Sequence, residues 1–306
     1  MRRFLIDTDP GIDDALAILM ALAQPDIEVV GLTVAAGNVG LRHTVANALK
    51  LCEVAGAEVP VYAGCATPLV HAAEDAAYVH GHDGFGDTGY VPAVRGAEAE
   101  HAANAIVRLV REHGAHLTLV TLGPLTNLAL ALRLDPSIAG RVGRLVVMGG
   151  AVTGQGNTRL PVEFNIGFDP EAAHIVFGAF ERFELVDWEA VVRHGFQRAA
   201  FEDWLGRGDA RAAFYAAISR LNRDWSEDRR GERWLCADAL AMAQAIDPEA
   251  GVLEWRPVAV ETAGAHTRGM TVVDWQRRSG GADRAGILAR YDMPRFQALA
   301  RQALGD

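Results

Sequence analysis

Short apolar segments alternate with amphipathic helical segments along most of this 306-residue chain, and that alternation constrains its fold more than any other feature. The stretches 4–6, 27–34, 59–62, 116–122, 144–148 and 183–186 have strand length and are dominated by aliphatic and β-branched residues. Between them, 15–23, 43–55, 98–112, 125–134 and 170–178 carry the apolar spacing of helices that cover a core, and Asp135-Pro136 stops one of them. Repeated strand–helix–strand units build parallel sheet with helices on both faces. The expected fold is therefore α/β: an open, mostly parallel central sheet with helices on both faces. A more helical C-terminal part is expected beyond Phe196, with helices at 210–223 and 237–246. No Ser- or Pro-rich linker and no internal repeat interrupts the pattern, so one domain spanning 1–306 is expected.

Charge and cysteine usage remove several classes of function. The net charge is −10 and the basic residues are dispersed, which argues against a nucleic-acid partner. No apolar run approaches the length of a membrane span, and Asp7 arrives too early for a signal peptide. Cys52, Cys65 and Cys236 are odd in number and lack disulfide or zinc spacing, so a reducing cytoplasm is the expected compartment.

Ligands of such sheets bind beyond the carboxyl ends of the strands, and the polar residues of this chain gather there. Asp7 and Asp9 follow the first strand, Asn38 the second, Gly123 the stretch 116–122, and Gly149-Gly150 the stretch 144–148. The segment Asp7-Thr8-Asp9-Pro10-Gly11-Ile12-Asp13-Asp14-Ala15 places four carboxylates in eight positions. Helix capping, with Asp9 as N-cap and Pro10 as the first helical residue, accounts for one or two of them. Four crowded acids repel and raise each other's pKa, a conflict that a hard cation with several oxygen ligands resolves.

That segment resembles the N-terminal signature of the inosine-uridine preferring nucleoside hydrolase family, and further matches follow in family order. They are Gly37-Asn38, His80-Gly81-His82-Asp83-Gly84-Phe85-Gly86, Leu122-Gly123-Pro124-Leu125-Thr126-Asn127, Val147-Met148-Gly149-Gly150, Glu163-Phe164-Asn165, Asp169-Pro170-Glu171-Ala172-Ala173 and Asp238-Ala239-Leu240-Ala241. The resemblance implies a calcium-dependent hydrolase that cuts the N-glycosidic bond of ribonucleosides, assembled as a homodimer or homotetramer. It implies calcium held by Asp9, Asp14, the Leu122 carbonyl and Asp238, with Asp7 behind them, and water and the ribose 2′- and 3′-hydroxyls completing the shell. Asp9 would also be the general base, and Asn38 would help place the attacking water. Asp13 would meet the 2′-hydroxyl, Asn165 other ribose hydroxyls, and Asn157 and Glu163 the 5′-hydroxyl; Phe164 and Met148 would line the sugar pocket.

Taken one at a time, these residues have plainer readings. Asn38 after Gly37 is a common turn pair, Asn157 a loop residue, Met148 a core residue and Asp238 an acid at a helix start. Glu163 and Asn165 flank Phe164, so on an extended segment they would share a face.

One position departs from the family pattern. Many members have a histidine directly before the late aspartate, thought to protonate the leaving base; here it is Ala237, within Trp234-Leu235-Cys236-Ala237-Asp238. Replacement acids are His80, His82 or a histidine of a mobile loop, and stacking of the base on Trp234 or a nearby tryptophan is another route. The segments 71–90 and 220–233, the second with Asn222 and Trp225, are expected to form a variable rim. Two other classes compete. A haloacid dehalogenase-like phosphatase would use Asp7 as nucleophile and Asp9 as acid, but the only lysine, Lys50, lies too early to clamp phosphate. A hydrolase of a modified nucleoside or other ribosyl compound, or a non-catalytic ribose- or nucleoside-binding protein on the same fold, stays open.

Overall fold

The computed structural model describes every residue except Arg159, Leu160 and Gly231, and for residues 225–230 the backbone alone. Its strands are β1 (Arg2–Thr8), β2 (Ile27–Val34), β3 (Val61–Ala63), β4 (Leu117–Thr121), β5 (Arg144–Met148), β6 (Phe183–Val186), β7 (Phe196–Gln197), β8 (Arg233–Trp234), β9 (Gly251–Arg256), β10 (Val258–Val260), β11 (Thr271–Val273) and β12 (Ala285–Tyr291). Eight of them form one sheet in the order β3-β2-β1-β4-β5-β6-β12-β9. Every neighbouring pair is parallel except β12 with the edge strand β9.

Alternation within β1 shows why these residues sit where they do. Phe4 and Ile6 join the core on one face, with the helices Ile12–Leu22, Ala237–Ile246 and Met293–Leu304. Leu5 joins the core on the other face, with the helices Ala102–His113, Thr126–Leu134 and Pro170–Ala179. All three side chains are fully buried, each contributing about 1.5–3 kcal/mol. A one-residue slip would carry Asp7 and Thr8 to the wrong sides of the sheet, so the register that fills the core also aims the acids. From β1 the chain runs to one edge through β2 and β3, then returns to the other side of β1 as β4. A crevice opens at such a switch point, here beyond the carboxyl ends of β1 and β4.

The first six expected strands are all present, with ends shifted by a few residues. The expectation for the C-terminal part was incomplete. Among the described residues, four α-helices lie beyond Phe196 (Arg198–Arg207, Ala210–Arg230, Ala237–Ile246 and Met293–Leu304), yet β12 and β9 also extend the main sheet there. No helix separates β9 from β12; the β10–β11 hairpin does, so the strand–helix rhythm that marks the first six strands is missing. Nor does the helix at 98–112 begin at Glu98. Glu98 bridges Tyr62 beside β3, and the helix starts at Ala102.

Candidate active site

The turn after β1 gathers the acids by backbone geometry. Gly11, not Asp9, is the N-cap of the helix Ile12–Leu22, so capping by Asp9 does not account for that residue. Asp14 reaches back over the turn: its Oδ2 accepts the Gly11 N–H at 2.9 Å, and its Oδ1 accepts the Thr8 hydroxyl at 2.5 Å and the Asp9 N–H at 3.3 Å. Asn38, after β2, donates its backbone N–H to Asp9 Oδ2 at 2.7 Å. Its side-chain amide donates to the Asp9 carbonyl at 3.2 Å and to Asp14 Oδ2 at 3.1 Å. Asn38 is thus more than a turn residue, since it joins both carboxylates.

Two glycines make room for Asp9. A Cβ at Gly37 would lie 2.1 Å from Asp9 Oδ2, and one at Gly123 would lie 2.1 Å from Asp9 Oδ1. The carboxylate is therefore gripped between the loops that follow β2 and β4. Gly123→Ala is expected to displace it and to lower kcat about 100-fold with an unchanged circular-dichroism spectrum; wild-type kcat would show that the close fit does not matter.

Below the turn, Asp7 Oδ1 accepts the Thr33 hydroxyl at 2.7 Å and the Asn127 amide at 2.9 Å. Burial pushes Asp7 up to about 7 despite those bonds. Asp238 enters from the first turn of the helix Ala237–Ile246, and carboxylate oxygens of Asp13, Asp14 and Asp238 lie within 4.8 Å of one another. Burial holds Asp9, Asp14 and Asp238 above the usual carboxylate range, and their mutual repulsion and that of Asp13 add to it. Oxygens at 2.3–2.6 Å from a common calcium ion are at most about 5 Å apart, so the trio has the spacing and hardness for such an ion. Asp9, whose Oδ2 accepts the Asn38 N–H, is not part of that trio, and Asp13 takes the place expected for it.

Above the acids opens a cavity of about 330 Å³, with Asp13, Asn38, the Leu122 segment and Asp238 at its base. One wall carries Met148, Asn157, Glu163, Phe164 and Asn165. Glu163 and Asn165 do not share an extended face. Glu163 is the N-cap of the short helix Phe164–Phe168, accepting the Asn165 and Ile166 N–H groups, and Asn165 lies in its first turn. The reversal follows from Glu163 reaching the N-terminal N–H groups that a helix leaves unpaired. Glu163 also accepts the Gly150 N–H at 2.8 Å, and burial still pushes it upward against these three bonds. The Asn165 amide donates to the Leu122 carbonyl at 2.6 Å and the Met148 carbonyl at 3.3 Å, while Asn157 Oδ1 accepts the Phe164 N–H at 2.9 Å.

Tyr78, His80, Trp188, Asn222, Trp234 and Ala237 also line the cavity. The structure separates the two histidines. His80 is buried, and its Nδ1 accepts the Ile12 N–H at 3.1 Å, which puts the proton of the neutral ring on Nε2. The His82 side chain is 93% exposed, pairs with Asp87 at 3.1 Å and does not line the cavity. The expectation of His82 as a pocket residue is therefore corrected; the positive φ of Gly81 turns the chain outward between the two rings. The Trp225 side chain lies outside the described residues. Trp188 was missed from sequence, although it follows the carboxyl end of β6, where the rule for parallel sheets would have found it.

Comparison with known proteins agrees with this geometry. Residues 4–298 match the model of the inosine-uridine preferring nucleoside hydrolase family. The inosine-uridine preferring nucleoside hydrolase of Leishmania major is 36% identical over 99% of this chain and 97% of its own. The non-specific ribonucleoside hydrolase RihC of Salmonella enteritidis is 38% identical over 96% and 94%. The solved structure of a purine-preferring ribonucleoside hydrolase from Gardnerella vaginalis superposes with a TM-score of 0.92 at 30% identity, covering 99% of this chain and 98% of that one. With the sheet, the acidic turn and the cavity all in place, the chain belongs to the inosine-uridine preferring nucleoside hydrolase family.

Proposed function

We propose that this protein hydrolyses the N-glycosidic bond of ribonucleosides in a calcium-dependent reaction that yields ribose and free nucleobase. The observation that carries the reading is the buried carboxylate cluster at the base of a cavity whose wall is furnished with Asn157, Glu163 and Asn165. In this reading Asp14 and Asp238 of the trio hold the calcium with Asp9 and the Leu122 carbonyl, which the family resemblance supplies, and Asp7 lies behind them. Calcium there supplies the positive charge that keeps the acids ionised at neutral pH and makes a neighbouring water more acidic.

The protein's own groups do the rest. Asp9 takes a proton from the attacking water, and Asn38, bonded to Asp9 and Asp14, fixes where that carboxylate points. Positive charge grows on the sugar as the bond to the base breaks, and the surrounding carboxylates favour that charge. Asp13 meets the 2′-hydroxyl, Asn165 another ribose hydroxyl, and Asn157 with Glu163 the 5′-hydroxyl; Phe164 and Met148 enclose the sugar. The same reading places the enzyme in nucleoside salvage in the cytoplasm, as a homodimer or homotetramer. The free thiols Cys52, Cys65 and Cys236 suit a reducing compartment.

Ala237 cannot donate a proton to the departing base, and His80 takes that role in this reading. Its Nδ1 is occupied by Ile12, so Nε2–H is the donor, and the ring lines the cavity. His80→Ala is expected to slow hydrolysis of an ordinary nucleoside by about 10²–10³-fold. The same variant should cleave 4-nitrophenyl ribofuranoside, whose leaving group needs no proton, at nearly the wild-type rate. His82→Ala should change neither rate. Equal losses on both substrates for His80→Ala would remove the proton-donor role.

The reading as a whole is tested by incubating the protein with inosine, adenosine, guanosine, uridine and cytidine, with and without a chelator, and following base and ribose by chromatography. Base release that the chelator abolishes is expected. Absence of release from all five with calcium bound would favour a modified nucleoside, another ribosyl compound, or a binder on the same fold.

A further inference from the structure

A second pair of buried acids lies outside the carboxylate cluster, on either side of Trp188. Asp187 is the N-cap of the helix Trp188–Arg193, and Glu189 lies in its first turn. Glu189 is 8% exposed, and four donors reach its carboxylate from the loop after β5. Its Oε2 accepts the Val152 N–H at 2.7 Å, and its Oε1 accepts the Thr153 N–H at 2.8 Å, the Thr153 hydroxyl at 2.9 Å and the Gln155 N–H at 3.2 Å. Four donors on one carboxylate fix a segment that regular secondary structure leaves unpaired. The Trp188 N–H closes the same corner on the Gly150 carbonyl at 2.9 Å.

The state of Asp187 supports the arrangement. Burial, and then the neighbouring Glu189 carboxylate, hold Asp187 well above the usual carboxylate range. Against burial, the bonds from Asp187, Thr153 and Gln155 keep Glu189 below it. Asp187 Oδ1 accepts the Ala190 N–H at 3.1 Å, which caps the helix that carries Glu189. The anchored segment ends two residues before Asn157, which lines the cavity and whose Oδ1 holds the Phe164 N–H.

We infer that Glu189 is a positioning residue for recognition of the 5′-hydroxyl: by anchoring Val152, Thr153 and Gln155 it holds Asn157 where that hydroxyl arrives. The inference rests on the reading above for the role of Asn157. It also gives Trp188 a rigid seat in the cavity lining, because Glu189 beside it is tied to that loop and its own N–H to the Gly150 carbonyl.

The test compares wild type, Glu189→Gln and Asp187→Asn on inosine and 5′-deoxyinosine, or on the uridine pair if uridine is cleaved faster. Amide hydrogen exchange of the 152–157 segment is measured in parallel. Glutamine presents an amide to a ring of N–H donors, so Glu189→Gln should reduce the kcat/KM preference for the 5′-hydroxyl substrate about tenfold or more. The Val152, Thr153 and Gln155 amides should exchange faster in that variant. Asparagine at 187 keeps the shape and an oxygen that caps Ala190 and leaves the four bonds to Glu189 in place, so Asp187→Asn should keep both the preference and the protection. Faster exchange with an unchanged preference would make Glu189 structural only and overturn the inference, as would unchanged exchange. A wild type with no preference for the 5′-hydroxyl would instead remove the role given to Asn157 and Glu163, and the exchange data would then decide the anchoring alone. If Glu189→Gln does not fold, Thr153→Val removes only the hydroxyl's bonds, one to Glu189 and one from the Gln155 side-chain amide, and the preference should drop about threefold; an unchanged preference there overturns the inference.

Discussion

Asp9→Ala is expected to lower kcat on every cleaved nucleoside by about 10⁴-fold or more, while circular dichroism and melting behaviour stay those of a folded protein. The size follows from what converges on one side chain. In the proposed mechanism Asp9 is both the base and a calcium ligand, and it is 1% exposed, so water does not take over its place. The fold should survive because the variant removes charge from a crowded site. Asp9 is held above its usual range by burial and then by Asp14, so its loss relieves repulsion while the Asn38 N–H becomes the one bond left unmade. Asp9→Asn separates the two roles of the side chain. It keeps the shape and an oxygen for Asn38 but has no basic oxygen, and it should be nearly as inactive as alanine. Substantial turnover in Asp9→Asn, measured in single turnovers over pH 5–9, would show that the proton goes elsewhere.

How much of this was legible in sequence depended on whether a residue's role is local. The acidic turn was legible because four aspartates in eight positions are costly without a purpose, and the structure brings Asp9 and Asp14 together with Asn38 as the strand ends predict. Parallel strands with buried faces announce themselves by apolar runs, so β1 to β6 were found. β9 was not, because an edge strand with exposed Val252 and Glu254 has little apolar signal, and it pairs with a strand some thirty residues later. Glu163 was identified but given the wrong backbone, since two of its three N–H partners belong to a helix of five residues that no periodicity reveals. The contrast between His80 and His82 was invisible for a related reason. Two residues apart, they part because Nδ1 of the first reaches the Ile12 N–H, a contact across 68 positions, while the second pairs with Asp87 at the surface. Glu189 follows the same pattern, because its four donors lie 34 to 37 residues earlier.

Calcium removal is expected to abolish turnover and to leave a protein whose stability falls as pH rises from about 4 to 8. Burial is the first cause of the raised values of Asp7, Asp9, Asp14 and Asp238, followed for the last three by the neighbouring carboxylates. For each, the folded pKa lies above the unfolded one, so over that interval the folded protein keeps protons that the unfolded chain has released. Stability then decreases with rising pH, from near the unfolded value of 3.8 up through the folded value, about 7 for Asp7. With calcium bound the acids are ionised and compensated, and binding competes less with protons at higher pH. The melting temperature of the calcium-loaded protein minus that of the chelated protein should therefore grow from pH 5 to pH 8. At a thousandfold excess over Kd the stabilisation is about 4 kcal/mol, or roughly 10 °C for a chain of this size. Other groups titrate nearby. Asp135, Asp209 and Asp274 have lowered values and act mainly below this interval. His194 is lowered chiefly by burial, so its contribution rises with pH and opposes the acids below about 6.5. It is present with and without calcium, and the difference taken at each pH removes it. Asp14→Ala should show no calcium-dependent shift and no turnover at any pH, since it removes the side chain that ties the turn to Asn38 and stands beside Asp238. A shift that shrinks toward pH 8, or that persists undiminished in Asp14→Ala, would mean that the ion binds away from this cluster.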